Sequence, residues 1–103
     1  MIQNASTLLA AAFKYQSDLT AFLRELVRIP SVNGRDTEHL LAERIQMEAN
    51  RLGLESHIVA QQPERPNILV TYGTGTAGFA LIGHMDTVAE GNLEGWSSPP
   101  FAA

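Results

Sequence analysis

The first third of the chain carries apolar residues at the spacing of an amphipathic helix. One stripe recurs at intervals of three and four residues and comprises Leu19, Phe22, Leu23, Leu26 and Val27. This spacing predicts a helix that Ser17 caps and that Pro30 stops. Residues 6–16 carry a weaker form of the same pattern, which predicts one or two turns of helix ahead of the main one.

A second helix is predicted after the turn signal Asn33-Gly34. Asp36 or Thr37 is expected to cap its start, and Gly53 is expected to end it in a left-handed conformation. The predicted inner face consists of Leu41, Ile45, Ala49 and Leu52.

The hydrophobic period then changes toward two, which predicts three strands. They cover residues 54–60, 67–72 and 79–83. The last two are apolar at consecutive positions, as is typical of strands covered on both faces, and covering both faces takes more helices than this sequence contains. Helices followed by short apolar strands favour an α/β fold. Residues 89–103 supply no closing element, so the sequence is expected to be part of a larger domain.

Composition narrows the function classes. A chain of 103 residues is long enough for one domain at most. Its 11 acidic and 7 basic residues give it a net charge of -4. The basic residues form no run, which argues against nucleic acid as a partner. Charged residues make up 17%, fewer than on a typical globular surface, so part of this surface is expected to be covered, most simply by more of its own chain.

Residue usage also limits compartment and chemistry. Without cysteine, the sequence offers no disulfide, cysteine-type zinc finger or thiol nucleophile. The apolar run Leu8–Phe13 is too short to span a membrane, and no basic segment precedes it as in a secretory signal. A cytoplasmic protein without a membrane partner is expected, and any metal in it must be bound by His, Asp or Glu.

The densest chemistry lies in Gly83-His84-Met85-Asp86-Thr87-Val88, at the end of the third predicted strand. Side chains alternate along a strand, so His84 and Asp86 are expected on the same side. A neutral imidazole binds zinc well, and a carboxylate that accepts its other ring N–H fixes the tautomer. The pair therefore fits a metal ligand with its orienting partner. It fits equally a hydrogen-bonded pair that simply closes a strand end.

Other motifs are weaker. No serine lies in a G-x-S-x-G elbow, which argues against a serine triad. Residues 73–78 match G-x-G-x-x-G, but a nucleotide-binding fingerprint must open a helix, whereas a strand is predicted here, so a plain loop is favoured. His39 and His57 have no partner at metal spacing and receive no role. Trp96 and Phe101 are expected to anchor the two ends of an extended segment, by loop packing or by substrate contact.

Four sequence blocks follow one another in a characteristic order: residues 26–32, 65–70, 83–88 and 95–101. From about Ser17 to Phe101 the chain resembles the N-terminal part of the di-zinc exopeptidases, a family that includes acetylornithine deacetylases, succinyl-diaminopimelate desuccinylases, aminoacylases and glutamate carboxypeptidases. The resemblance implies the N-terminal portion of a three-layer α/β/α catalytic domain with a mixed sheet, incomplete within residues 1–103. One departure is Ala89, where many members have proline.

For the residues, the resemblance implies that His84 binds one zinc and that Asp86 is the catalytic aspartate that orients it. It further implies hydrolysis of an N-acyl amino acid or peptide amide by a metal-activated water, with two zinc ions (or cobalt) and a homodimeric assembly in the intact protein. The remaining ligands and the general base are expected beyond residue 103, so this chain alone is expected to be inactive. The alternative is a non-catalytic truncated or binding module with the same fold; a nucleotide-binding domain ranks below both.

Overall fold

A computed structural model describes residues 4–103, and its first element is the long helix α1, Ala5–Val27. Asn4 caps α1 by accepting a hydrogen bond from the Thr7 amide at 3.0 Å. The cap predicted at Ser17 is wrong, because that residue lies inside one continuous helix. The weaker apolar pattern of residues 6–16 is enough to extend the main stripe without a break. The helix ends ahead of Pro30, as predicted.

Helix α2 covers His39–Arg51 and provides most of the small core. Leu41 and Ala49 are buried as predicted, whereas Leu52 lies beyond the last turn and is exposed. The predicted caps are wrong: Glu38 occupies the cap position, and its side chain makes no capping hydrogen bond to the helix backbone. Asp36 instead accepts the Val32 amide at 3.0 Å, so its carboxylate stabilises the preceding turn. Gly53 has a φ of 71°, which confirms the left-handed end of the helix.

The sheet consists of two antiparallel strands, β1 (Glu55–Val59) and β2 (Asn67–Thr71), with Glu55 opposite Thr71. Helix α2 packs against both strands. These two strands are confirmed, each within its predicted range. The third predicted strand, 79–83, does not form, and the mixed sheet is not seen among residues 4–103. Ladder hydrogen bonds need a neighbouring strand, and none of the described segments lies alongside this one.

The molecule exposes an unusually large surface for its mass. Its accessible area is 8465 Å², whereas a compact protein of this mass exposes about 5,700 Å². The exposed fractions of Phe79, Leu81 and Ile82 reach 89–94%. The buried apolar residues are Val32, Leu41, Ala42 and Ala49. This open apolar surface agrees with the shortage of charge in the sequence.

Two smaller features complete the fold. Arg44 of α2 joins the helices by an ion pair with Glu25 of α1, and its guanidinium lies 4.9 Å from the centre of the Phe22 ring. A single 3₁₀ turn, Leu93–Gly95, follows the irregular segment that contains His84. Among residues 4–103, no helix has both the length and the apolar character needed to cross a membrane.

Candidate metal centre

The segment around His84 is held against the turn that follows α1. Val32 and Thr87 form a parallel β-bridge. The Thr87 amide donates to the Ser31 carbonyl, and the Asn33 amide donates to the Thr87 carbonyl, each at 2.9 Å. The Ser31 hydroxyl also donates to the Met85 carbonyl at 2.8 Å. Backbone bonds thus fix residues 85–87 although residues 79–83 form no strand.

His84 and Asp86 are in direct contact. The imidazole Nδ1 lies 3.1 Å from the Asp86 Oδ1 and 2.7 Å from the Asp86 carbonyl oxygen. Both partners are acceptors, so Nδ1 must carry the hydrogen, and in the neutral ring the lone pair is then on Nε2. The His84 side chain is 82% exposed. The arrangement therefore presents Nε2 outward as a potential metal ligand.

Asp86 is held on its other side by Asn33. The Asn33 side-chain amide donates to Oδ2 of Asp86 at 2.8 Å. This hydrogen bond is the main reason that the pKa of Asp86 lies below its usual 3.8; partial burial acts in the opposite direction, and the contact with His84 adds to the lowering. The carboxylate thus stays ionised at neutral pH and can accept from the imidazole. The sequence contained no signal for Asn33, which was identified only as a turn residue.

These three side chains line an open cleft of about 550 Å³. Glu38 and Arg65 lie in the same cleft, joined by an ion pair of 2.8 Å between Oε1 and Nη1. Glu38 is almost fully buried, and its amide donates to the Glu64 carbonyl at 3.0 Å. The 65–70 sequence block is thereby attached to the start of α2 and forms one wall of the cleft.

A second cluster supports the residues that follow the pair. Arg35 donates through Nη1 to both carboxylate oxygens of Glu90 at 3.0 Å, and its guanidinium lies 5.8 Å from the centre of the Phe101 ring. The Trp96 indole N–H donates to the Glu90 carbonyl at 2.9 Å. The two aromatic residues therefore contact one cluster, and sequence reasoning missed its ionic members, Arg35 and Glu90.

The number of side chains available as ligands determines whether this site can hold a metal ion. Within residues 4–103, no group of three or more His, Cys, Asp or Glu side chains is placed to bind a metal ion. His84 with Asp86 fits one ligand and its orienting partner, but structural and catalytic zinc sites take at least three protein ligands. His39 instead contacts the Thr37 hydroxyl at 2.8 Å, and His57 contacts Glu55 at 3.0 Å.

The glycine-rich segment 73–78 is a loop, as the sequence favoured. No helix begins after it, so the structural context that a dinucleotide fingerprint requires is not formed there.

Comparison with known proteins finds succinyl-diaminopimelate desuccinylases among the relatives of this chain. It is 36% identical over 85 residues to succinyl-diaminopimelate desuccinylase 2 of Shewanella loihica, covering 80% of this chain and 21% of that protein. A probable succinyl-diaminopimelate desuccinylase of Staphylococcus epidermidis is 29% identical over 86 residues, covering 84% and 21%. The chain is a distant homologue of the desuccinylases. The resemblance stated from the four sequence blocks is thereby confirmed.

The homology extends over most of the chain but over little of the relatives. YgeY of Escherichia coli K12, a protein described as uncharacterized, is 33% identical over 94 residues, which cover 91% of this chain and 22% of YgeY. The chain thus spans about a fifth of the length of the curated relatives it matches. No protein-family profile matches it, and no solved structure does.

Proposed function

We propose that this chain supplies one metal-binding histidine, with its orienting carboxylate, to a zinc-dependent amidohydrolase. The observation that carries the proposal is the contact between Nδ1 of His84 and the Asp86 carboxylate in the cleft. Homology to desuccinylases supports the reaction class. The substrate class is an N-acyl amino acid or a peptide amide, and the protein acts in the cytoplasm as a homodimer.

Each side chain has a defined part. Nε2 of His84 binds the metal, and Asp86 keeps the ring in the required tautomer and increases its basicity by accepting the Nδ1 hydrogen. Zinc, for which cobalt can substitute, supplies Lewis acidity and lowers the pKa of a bound water when it is present. We assign the further ligands of the two zinc ions, and the general base, to residues outside these 103, as the family resemblance implies.

The proposal is tested on the complete protein that carries this sequence. Zinc content and release of free amine from N-acyl amino acids are measured for wild type, His84→Ala and a control, His57→Ala. The control residue is exposed, and its imidazole forms a polar contact with Glu55, away from the His84–Asp86 pair. We expect His84→Ala to lose bound zinc and at least about 10-fold in rate, since a direct ligand should matter no less than its hydrogen-bonded partners, while His57→Ala retains both.

Two results would contradict the proposal. Equal zinc content and rate in wild type and His84→Ala would remove His84 from the site. A complete protein that holds no zinc and hydrolyses none of the amides would favour the non-catalytic binding module instead. The 103-residue chain provides a separate check: we expect calorimetry to show only weak zinc binding and assays to show no hydrolysis, because one imidazole is too few ligands.

A further inference from the structure

We propose that Asn33 is the positioning residue that holds Asp86, and through it His84, in the orientation that metal binding needs. This inference rests on the proposed function. Its basis is a continuous chain of contacts. The side-chain nitrogen Nδ2 of Asn33 is 2.8 Å from Oδ2 of Asp86, and Oδ1 of the same carboxylate is 3.1 Å from Nδ1 of His84. The two carboxylate oxygens thus have one fixed partner each.

The backbone aims the Asn33 side chain at Asp86. Its neighbour Val32 pairs with Thr87 in the β-bridge, and the backbone N–H of Asn33 donates to the Thr87 carbonyl. The bridge therefore carries Asn33 and Asp86 on adjoining segments, although 53 positions separate them in the sequence. Gly34, with a φ of 82°, turns the chain directly afterwards. The backbone of Asn33 is thus held next to Asp86, so its side chain needs little reorganisation to bind the carboxylate.

A neutral donor suits this position. Among the residues that the structure describes, no arginine or lysine forms an ion pair with Asp86: neighbouring Arg35 is paired with Glu90 and Asp36. A cation on Oδ2 would share the charge of the carboxylate, whereas an amide fixes its orientation and leaves the negative charge available to the imidazole. Asn33 therefore orients the carboxylate without displacing His84 as its charged partner.

The test is the tautomer of His84 in the 103-residue chain without metal, measured by nitrogen-15 NMR at pH 8.5. In a neutral imidazole one ring nitrogen carries the hydrogen and the other carries the lone pair. Wild type is compared with Asn33→Ala and Asn33→Asp, and with Asn50→Asp as a matched control. Asn33 and Asn50 are both exposed, so these changes leave the core intact.

We expect wild type and Asn50→Asp to populate mainly the Nδ1–H tautomer. The Asp86 carbonyl, 2.7 Å from Nδ1, still favours the Nδ1–H form when Asn33 is changed. Loss of the oriented carboxylate should therefore move the tautomer ratio about two- to tenfold toward Nε2–H in both Asn33 variants without reversing it. An unchanged ratio in these variants would overturn the role of Asn33 while leaving the His84–Asp86 pair, and so the proposed function, in place. A wild-type ring mainly in the Nε2–H form would overturn the whole relay from Asn33 to His84. Failure of the proposed function shows separately, in the zinc content of His84→Ala.

Discussion

Replacing Arg65 by methionine should destabilise the fold by isolating a buried charge. The Glu38 side chain is only 7% exposed, and Nη1 of Arg65 lies 2.8 Å from its Oε1. Methionine retains much of the apolar stem of arginine but offers no hydrogen-bond donor. The carboxylate would then stay buried with its ionic partner removed, and this is the costly way to break an ion pair.

The structure sets the size of the effect. Removing one partner of a fully buried pair costs about 3–5 kcal/mol. Arg65 is 40% exposed, so solvent already weakens the attraction and can partly replace the lost donor. We therefore expect the free energy of unfolding to fall by about 2 kcal/mol, close to the loss of one charge-assisted hydrogen bond. That corresponds to about a 30-fold change in the ratio of folded to unfolded chains.

The assay is urea unfolding of the 103-residue chain followed by circular dichroism. Trimethylamine N-oxide is included so that the folded baseline is measurable. Arg51→Met is the matched control: it removes an arginine that is 65% exposed and paired with Glu48, and it should cost clearly less. Adding Glu38→Gln to Arg65→Met should restore part of the loss, because it removes the isolated charge. Equal losses for Arg65→Met and Arg51→Met would show that burial of Glu38 does not set the cost.

Two further predictions concern acid and the open apolar surface. The pKa of Asp86 is lowered chiefly by Asn33 and that of Glu48 chiefly by Arg51, from usual values of 3.8 and 4.5. The two carboxylates contribute their full share of stability above those values and lose it as the pH falls through the lowered pKa values. The urea concentration at the unfolding midpoint should therefore decrease when the pH is lowered below about 4; a midpoint that rises in acid would contradict this. Leu81, 91% exposed, should tolerate Leu81→Lys within about 0.5 kcal/mol. The control Leu41→Ala, at a site 5% exposed, should cost about 2–5 kcal/mol; similar losses in both would show that Leu81 is buried in solution.

The hydrophobic pattern was sufficient to predict those elements that pack against one another within this chain. Helix α2 and strands β1 and β2 pack on one another, and their apolar periods predicted all three. The left-handed glycine at Gly53 was predictable for the same reason, because the end of a helix is set by residues adjacent in sequence. Helix caps were harder to predict, because several polar residues near each helix start could serve. Asp36, for example, accepts the backbone N–H of Val32 in the preceding turn instead of capping α2.

The third predicted strand shows where pattern stops being sufficient. Residues 79–83 are as apolar as β2, yet Leu81 and Ile82 are more than 90% exposed. A strand is a property of a pair of segments, because its backbone groups must bond to a neighbour. The apolar pattern of residues 79–83 therefore suits a strand in a buried sheet, but the described residues provide no neighbouring strand for it to pair with.

In the candidate site, too, contacts between residues close in sequence could be predicted, and contacts that depend on tertiary structure could not. A spacing of two residues was enough to predict that His84 and Asp86 would meet, and their contact is preserved even without the strand that motivated it. No spacing could reveal Asn33, because the bridge between Val32 and Thr87 creates its proximity to Asp86. Two side chains that contact each other can thus be close in sequence, whereas the group that holds one of them in place is brought there by tertiary structure. That difference is why Asn33 provides the sharper test of the fold: changing it perturbs His84 only if the bridge forms in solution.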